Sequence, residues 1–218
     1  LDSYKLIFIN GVFNKSLSIL GSNEKFFVGS LKQGMKEMPD IINAHYGKLA
    51  DTKQSMVALN TAMANEGAFV YVKKGVKLDK LVQILFVNTN HEESRMMQTR
   101  NLFVVEDLAE AQIFERHQAF NQGHVFSNSV TESSVGNQAH FKHFKLQNDL
   151  DSSSMVDSTF VKQGANSSAL VDTFAFSGEL VRNNLHFEFT GMHAEAHMDA
   201  ITLLKGKSLV DHHTFVDH

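Results

Sequence analysis

The C-terminal stretch "KSLVDHHTFVDH" concentrates histidines and aspartates, the side chains best suited to metal chemistry, within a few positions of this 218-residue chain. Histidine nitrogens and carboxylate oxygens are common ligands of zinc and related ions. On an extended strand His212 and His213 face opposite ways, and His212 lies about 20 Å from His218 at about 3.3 Å per residue. A single strand therefore brings no two of these histidines to one ion. We expect structural or interface histidines here, with a metal site at His212, His213 and His218 as the weaker alternative.

A second histidine-rich stretch, "HAEAHMDA", begins at His193. On a strand, His193, Glu195, His197 and Asp199 share one face and the small residues between them share the other. On a helix, His193 and His197 would be neighbours that could chelate a metal. The zinc-protease pattern needs glutamate directly after the first histidine, where Ala194 stands, and the zinc-deaminase pattern needs a pair of cysteines. The stretch therefore predicts a strand with one solvated face.

Three aspartates occupy echoing positions in "VDSTF", "VDTF" and "VDHHTF": Asp157, Asp172 and Asp211. If they line up in a groove, the chain could be a β-solenoid enzyme that acts on polysaccharides. Asp107 and Glu110 form a carboxylate pair in sequence only, and such pairs are more often solvated charges. The chain has no Walker loop, no Gly-x-Gly-x-x-Gly and no Gly-x-Ser-x-Gly, so no local motif indicates an enzyme.

Composition narrows the classes of partner and compartment. The chain has no cysteine, which excludes disulfides, thiolate metal sites and a cysteine nucleophile within these residues and fits a reducing compartment. A net charge of -4 gives no basic field for nucleic acid. No apolar run reaches the roughly 18 residues of a membrane span, and the N-terminal residues show no signal peptide.

The pattern of apolar residues changes twice along the chain. "YKLIFINGVFNKSLSIL" predicts a hairpin that turns at Asn10-Gly11. Residues 26–66 have helical spacing, and Pro39 and Gly47 divide them into short helices. After Gly67 the period becomes two, with two short strands around "KKG" and then short runs every 8–12 residues or so. This pattern predicts an all-β sandwich, barrel or β-solenoid.

Two features favour the solenoid among these three architectures. The links between runs contain few of the dipeptides that make tight hairpins, and the chain has a single proline. The echo of "VDSTF", "VDTF" and "VDHHTF" is also what stacked coils in similar environments would show. Its period is irregular, so the echo alone is a weak signal.

Several stretches, in order along the chain, resemble the SufB/SufD proteins of iron–sulfur cluster assembly. They are "ALNTAMANEGAFVYVKKGVKLDKLVQILFV" (58–87), "TRNLFVVEDLAEAQIFERH" (99–117) and "GELVRNNLHFEFTGMHAEAHMDAITLLKGKSLVDHHTFVDH" (178–218). The last stretch is the most specific, through its Leu-Val-Arg-Asn and Asp-His-His-Thr…Asp-His motifs. We interpret the motif residues as coil wall or subunit interface: Arg182, Asn183, Asp211, His212, His213, Asp217 and His218.

The resemblance implies a mainly β fold whose core is a right-handed parallel β-helix. The expected organisation is a small mixed α/β entry segment over residues 1–66 and a β-helix core over residues 67–218. The family's sequence continues past residue 218, so we expect the chain to be a fragment whose core is truncated at its C-terminal end.

The resemblance also implies a cytoplasmic complex with a SufB-like paralogue and a SufC-like ABC ATPase, and no catalysis by this subunit itself. Iron–sulfur clusters are held mainly by cysteine thiolates, so a chain without cysteine cannot be the thiolate scaffold alone, which favours SufD over SufB. We expect no cofactor on the chain alone and a cluster only in the assembled complex. A homodimer is expected when the paralogue is absent, and neither nucleic acid nor membrane is an expected partner.

Overall fold

A computed structural model of the chain describes residues 2–89, 94–120 and 123–218. The N-terminal elements are β1 (Ser3–Ile9), β2 (Val12–Phe13), a 3-10 helix (Lys15–Leu17), β3 (Gly21–Ser22), β4 (Phe26–Ser30), α1 (Leu31–Glu37), α2 (Pro39–His45) and α3 (Ser55–Met63). The remaining elements are β5 (Ala68–Val72), β6 (Leu81–Asn88), β7 (Arg95–Val105), β8 (Glu110–Ala119), β9 (Val125–Val135), β10 (His140–Asn148), β11 (Ser154–Gln163), β12 (Ser168–Ala175), β13 (Leu180–Phe189), β14 (Glu195–Thr202) and β15 (Leu209–Asp217).

The entry segment contains the predicted hairpin and the predicted short helices. Strands β1 and β2 pair antiparallel around Asn10 and Gly11, whose φ angles of 51° and 78° suit a two-residue turn. Pro39 is the first residue of α2, a position where its missing N–H costs no helical hydrogen bond. Strand β4 lies inside the range that the sequence pattern assigned to helices, and that assignment was wrong for residues 26–30.

Two facing sheets build the core, and the chain alternates between them. Within the described residues, the first sheet has the order β14-β12-β10-β8-β6-β1-β2 and the second β15-β13-β11-β9-β7-β5-β4-β3. From β6 to β15 successive neighbours in each sheet pair in parallel. Five coils result, each with one strand in each sheet. This arrangement confirms the parallel β-solenoid with a small α/β entry segment, and its right-handed winding stays a prediction.

The length of a coil varies, which explains the irregular repeat in the sequence. Val82 pairs with Ile113, 31 positions later, whereas Ser154 pairs with Leu180, 26 positions later. The echoing "VD" dipeptides lie on β11, β12 and β15, which belong to both sheets, so they do not mark one structural repeat.

The two strands predicted around "KKG" both form, but not as a pair. Strand β5 pairs with β4 and β7 in the second sheet, whereas β6 pairs with β1 and β8 in the first. Strands β1 and β4 of the entry segment thus extend the two sheets of the core. The predicted boundary between the entry segment (residues 1–66) and the core (residues 67–218) therefore stays a prediction.

The space between the two sheets, here called the lumen, is filled by alternate side chains of every strand. Its apolar part includes Phe8 and Ile113 from the first sheet and Phe103 and Phe187 from the second, each at most 1% exposed. Burial of such side chains stabilises the fold by about 25 cal/mol per Å² of apolar surface, so this contact between the sheets is the main source of stability.

Residues 31–63, here called the helical cap, cover the outer face of the second sheet. Leu31 and Ile42 of the cap pack against Phe69, Leu102 and Val104, which point away from the lumen. The second sheet is therefore buried on both faces at β5, β7 and β9, and its strands read as nearly continuous apolar or uncharged runs. The longest described helix, Ser55–Met63, has nine residues, and none is long and apolar enough to cross a membrane.

A buried ion pair fixes the cap to the sheet. Arg100 Nη2 on β7 lies 2.7 Å from Glu132 Oε2 on β9, and both side chains are at most 2% exposed. The same carboxylate accepts hydrogen bonds from the backbone N–H groups of Gly47 (2.8 Å), Leu49 (2.7 Å) and Ala50 (3.0 Å) in the link between α2 and α3. Glu132 thus accepts from three backbone N–H groups of a link that lies outside both helices and has no helical hydrogen bonds to satisfy them.

The environment of Glu132 favours its charged form. Burial alone raises the pKa of this carboxyl, but the charge of Arg100 and the hydrogen bonds from Leu49 and Ala50 outweigh it, and the pKa is lowered. The carboxylate is therefore ionised at neutral pH and balances the buried guanidinium.

We predict that Glu132→Ala destabilises the protein by about 3–5 kcal/mol, because it leaves a buried guanidinium without its counter-charge. The free energy of unfolding from urea titration measures the effect. Glu24→Ala, at an exposed carboxylate in the link between β3 and β4, is the control and should change stability by less than about 0.5 kcal/mol. A loss at Glu132 no larger than the control would contradict the role assigned to this pair.

Candidate functional site in the solenoid lumen

One part of the lumen is polar instead of apolar. Alternate residues of β8 and β10 meet alternate residues of β11 there, and nearly all of them are buried. This polar lumen cluster comprises Glu115, His117, His143, Lys145, Asp157 and Thr159. It is the largest concentration of buried titratable groups that the described residues contain, and it is therefore the first candidate site.

Glu115 is the centre of the cluster. Its Oε1 lies 2.7 Å from His117 Nε2, and its Oε2 lies 3.0 Å from His143 Nε2. Lys145 on the next strand forms an ion pair with Asp157 across the lumen and donates to Thr159 Oγ1 at 2.8 Å. The cluster thus links the two sheets by charge-assisted hydrogen bonds in a place where apolar contacts would otherwise do so.

The charges in the cluster determine which forms of its groups are populated. Burial alone raises the pKa of Glu115, but the charge of Lys145 and the hydrogen bonds from both histidines outweigh it and hold the pKa well below its usual value. Burial lowers the pKa of His143, and its contact with Glu115 opposes this only in part. Glu115 is therefore a carboxylate at neutral pH that accepts hydrogen bonds from two imidazoles, and His143 is neutral.

A second polar row leads from the lumen to the last coil. Gln147 and Asn183 exchange two hydrogen bonds, of 2.7 and 3.1 Å, between the sheets. His212 lies beside Asn183 on the neighbouring strand, with Nδ1 3.4 Å from Asn183 Nδ2 and Nε2 2.9 Å from Thr202 Oγ1. His212 therefore belongs to the lumen wall of the last coil, although its side chain is exposed there.

The three candidate metal histidines do not converge. His212 faces the lumen, His213 follows it on the opposite face, and His218 stacks on Phe189 with ring centroids 5.1 Å apart. The described ranges contain no group of three histidine, aspartate or glutamate side chains placed to hold a metal ion. Nothing in this geometry supports a metal site at these positions.

The other motif residues take part in contacts between β13 and β15. Arg182 forms an ion pair with Asp211 on the neighbouring strand, and its Nε donates to Asn184 Oδ1 at 2.8 Å. Asp217 lies opposite Glu188 at the end of the same strand pair. The position of these residues in the wall of the last coil fits their interpretation as coil wall, and an interface role stays a prediction.

The stretch "HAEAHMDA" forms the predicted strand over most of its length. Glu195, His197 and Asp199 lie on the solvent face of β14, and Met198 packs against the lumen core. His193 was wrongly assigned to this face, because it precedes the strand and has a φ of 62° in the turn before it.

The proposed line of aspartates does not exist. Asp157 faces the lumen from β11, 3% exposed, and is paired with Lys145. Asp172 lies on the outer face of the first sheet, and Asp211 lies on the second sheet and is paired with Arg182. The three carboxylates therefore cannot act on one polysaccharide, and that hypothesis was wrong.

The carboxylates of Asp107 and Glu110 also serve different partners. Asp107 Oδ1 accepts a hydrogen bond from the backbone N–H of Asn137 at 2.7 Å, whereas Glu110 Oε2 lies 2.7 Å from Lys77 Nζ. Because each carboxylate is held by its own partner, the two do not form an acid/base couple.

The polar lumen cluster was missed at the level of sequence, although a signal was present. In "AQIFERH", Glu115 and His117 occupy the same alternate positions as the buried Ile113. In "HFKHFKL", His143 and Lys145 occupy the same alternate positions as a buried phenylalanine. Charged side chains in the positions of the apolar face indicate a buried polar network, provided that the orientation of both strands is known.

Comparisons with known proteins give results for the whole chain. A family model of the SufBD protein N-terminal region matches residues 1–84, and one of the SufBD core domain of SUF system FeS cluster assembly matches residues 86–218. The chain is similar to an iron–sulfur cluster assembly SufBD family protein of Synechocystis, with 26% identity over 97% of this chain and 49% of that protein.

Two further relatives are informative. The chloroplastic protein ABCI7 of Arabidopsis thaliana is 24% identical over 88% of this chain and 45% of its own length. The iron–sulfur cluster assembly protein SufB of Bacillus subtilis is 34% identical over 82 residues, which are 37% of this chain and 17% of that protein. The chain spans about half the length of the first two relatives.

We predict that Glu115→Gln lowers stability at neutral pH by at least about 1.5 kcal/mol, because an amide replaces a buried carboxylate that accepts charge-assisted hydrogen bonds. The native pKa of Glu115 is lowered from 4.5, so its stabilisation is complete above about pH 4.5 and is lost as the pH falls through the native value. Urea titrations between about pH 6 and 3.5 should show the difference between wild type and variant shrinking below about pH 4.5.

Glu24→Gln is the control for this pH dependence, because Glu24 is exposed. Its difference from wild type should be near zero at every pH. A difference between wild type and Glu115→Gln that stays constant over the whole range would show that Glu115 does not titrate as described.

Proposed function

This chain belongs to the SufBD family of the SUF system of iron–sulfur cluster assembly, and we propose that it is a SufD-like, non-catalytic subunit of an assembly complex. The observation that carries the proposal is that both family regions match in order while these 218 residues contain no cysteine. Clusters are held mainly by thiolates, so these 218 residues cannot supply the scaffold ligands by themselves.

The buried position of the polar lumen cluster supports a non-catalytic role. Glu115, His143 and Lys145 are at most 1% exposed, and each already has a partner within the cluster. An acid or base in catalysis must come within hydrogen-bond reach of a substrate. These groups have no free path to one, so they stabilise the solenoid.

Two partners follow from the proposal. A SufB-like paralogue would supply the thiolate scaffold, and a SufC-like ABC ATPase would supply ATP hydrolysis, with a homodimer as the state of the protein when the paralogue is absent. The cytoplasm is the compartment implied by the family resemblance.

We predict that the full-length protein co-purifies with its SufB-like and SufC-like candidates from the same cell as a stable three-component complex.

The absence of any association, even at low salt, would contradict the proposed function.

We also predict that the full-length protein alone does not assemble a stoichiometric cluster when it is treated with iron(II) and sulfide without oxygen. The complex with the SufB-like subunit should assemble one, because that subunit brings the thiolates. Visible absorption and iron analysis after desalting measure both. One cluster per chain on the isolated protein would contradict the division of labour proposed here.

A further inference from the structure

The outer face of the second sheet carries a row of aromatic rings. Phe160, His186 and Phe215 lie directly opposite one another on β11, β13 and β15. Both neighbouring pairs have ring centroids 5.1 Å apart, which is within the range of favourable aromatic contacts. The row starts beneath the helical cap, where Phe160 is 4% exposed, and ends at Phe215, which is 50% exposed.

A cleft of about 290 Å³ lies over this row. Leu49 and Asp51 of the link between α2 and α3 form one wall, and Glu188 and Asp217 lie along the other side. Pockets for small molecules typically measure about 300–1,000 Å³, so this cleft is at the lower end of that range and is large enough for one side chain. We call it the aromatic cleft.

The rim of the aromatic cleft is acidic. Lys162 Nζ lies 2.9 Å from Glu188 Oε1, so that carboxylate is already paired. Neither Asp51 nor Asp217 forms an ion pair with any of the described residues, although Asp51 Oδ1 accepts a hydrogen bond from the backbone N–H of Lys53 at 2.9 Å. Two carboxylates beside an aromatic floor attract a cation and repel anionic ligands such as phosphates.

The ring of His186 adds an aromatic surface and no competing charge. Burial lowers the pKa of His186, the nearby His213 lowers it further, and Asp51 opposes the shift. The imidazole is therefore neutral at pH 7 and can stack with a planar cation.

We propose that the aromatic cleft docks an arginine side chain presented by a partner protein. The guanidinium stacks on the rings of His186 and Phe215 and donates hydrogen bonds to Asp51 and Asp217. Arginine fits better than lysine, because its planar group stacks on rings and is less strongly hydrated. A wholly apolar segment would remove Asp217 from water without a partner and Asp51 with only one backbone hydrogen bond, which is costly. The proposal does not depend on which protein carries the arginine.

The probe for this proposal is the peptide N-acetyl-Leu-Arg-Leu-amide, compared with the same peptide containing citrulline, which is neutral and nearly isosteric. Nuclear magnetic resonance of the full-length protein reports the side-chain signals of His186 and Phe215. We expect the arginine peptide to shift both with a Kd on the order of 1 mM. The citrulline peptide should bind at least tenfold more weakly.

The double variant Asp51→Asn, Asp217→Asn removes the charge of the rim and keeps the shape of both side chains. It should weaken binding of the arginine peptide at least tenfold and leave the citrulline peptide unchanged. Glu24→Gln, at an exposed carboxylate between β3 and β4, is the matched control and should have no effect on either peptide.

Three results would overturn the proposal. The first is that the arginine peptide binds no more tightly than the citrulline peptide, and the second is that it shifts neither ring at millimolar concentration. The third is that the protein's own chain covers the aromatic cleft, shown by a His186 that resists diethyl pyrocarbonate in the native full-length protein and reacts after unfolding.

Discussion

The alternation of side chains along each strand is the constraint on which the rest of this structure depends. Parallel strands in two facing sheets send every second residue into the lumen, and neighbouring coils place those residues directly opposite one another. A single register therefore decides which groups are buried together. It brings Lys145 to Asp157 across the lumen, and it stacks Phe160, His186 and Phe215 on the outside.

Buried charges at two places help to select one alignment of the coils, and each place lies where two layers of the fold meet. Arg100 and Glu132 join the helical cap to the second sheet, and the cluster around Glu115 joins the two sheets. Burying an ion removes it from water at a cost of several kcal/mol, which is recovered only when every partner is correctly placed. A slipped register would separate these partners, so the charges favour one alignment of the coils. This structural role fits the proposal that the chain is an assembly subunit without catalysis of its own.

Much of the fold could be predicted from the sequence, and its limits have physical reasons. The Asn10-Gly11 turn, the helix that begins at Pro39 and the solvent face of β14 follow from local rules of backbone and periodicity. The register between coils could not be predicted, because the coils have 26 to 31 residues and the sequence therefore has no fixed repeat. Without that register, the similar sequence contexts of the aspartates at 157, 172 and 211 indicated an alignment that the fold does not have. The polar lumen cluster depends on contacts between distant strands. Its members could be recognised only after the pairing of β8 with β10, and the position of β11 across the lumen, were known.

The central claim is that this chain supports cluster assembly through its shape and partners, while its buried charges are structural. The most direct measurement is the activity of an iron–sulfur enzyme in cells that lack the full-length protein, complemented either with wild type or with Lys145→Met, Asp157→Leu. Replacing a buried ion pair by apolar side chains of similar size is often neutral or stabilising. Because this replacement also removes the Lys145 charge that favours ionised Glu115, circular dichroism first establishes that the double variant is folded. The account predicts that activity falls in the deletion strain and that both forms restore it. An unchanged activity in the deletion strain, or a folded double variant that fails to restore it, would contradict the account.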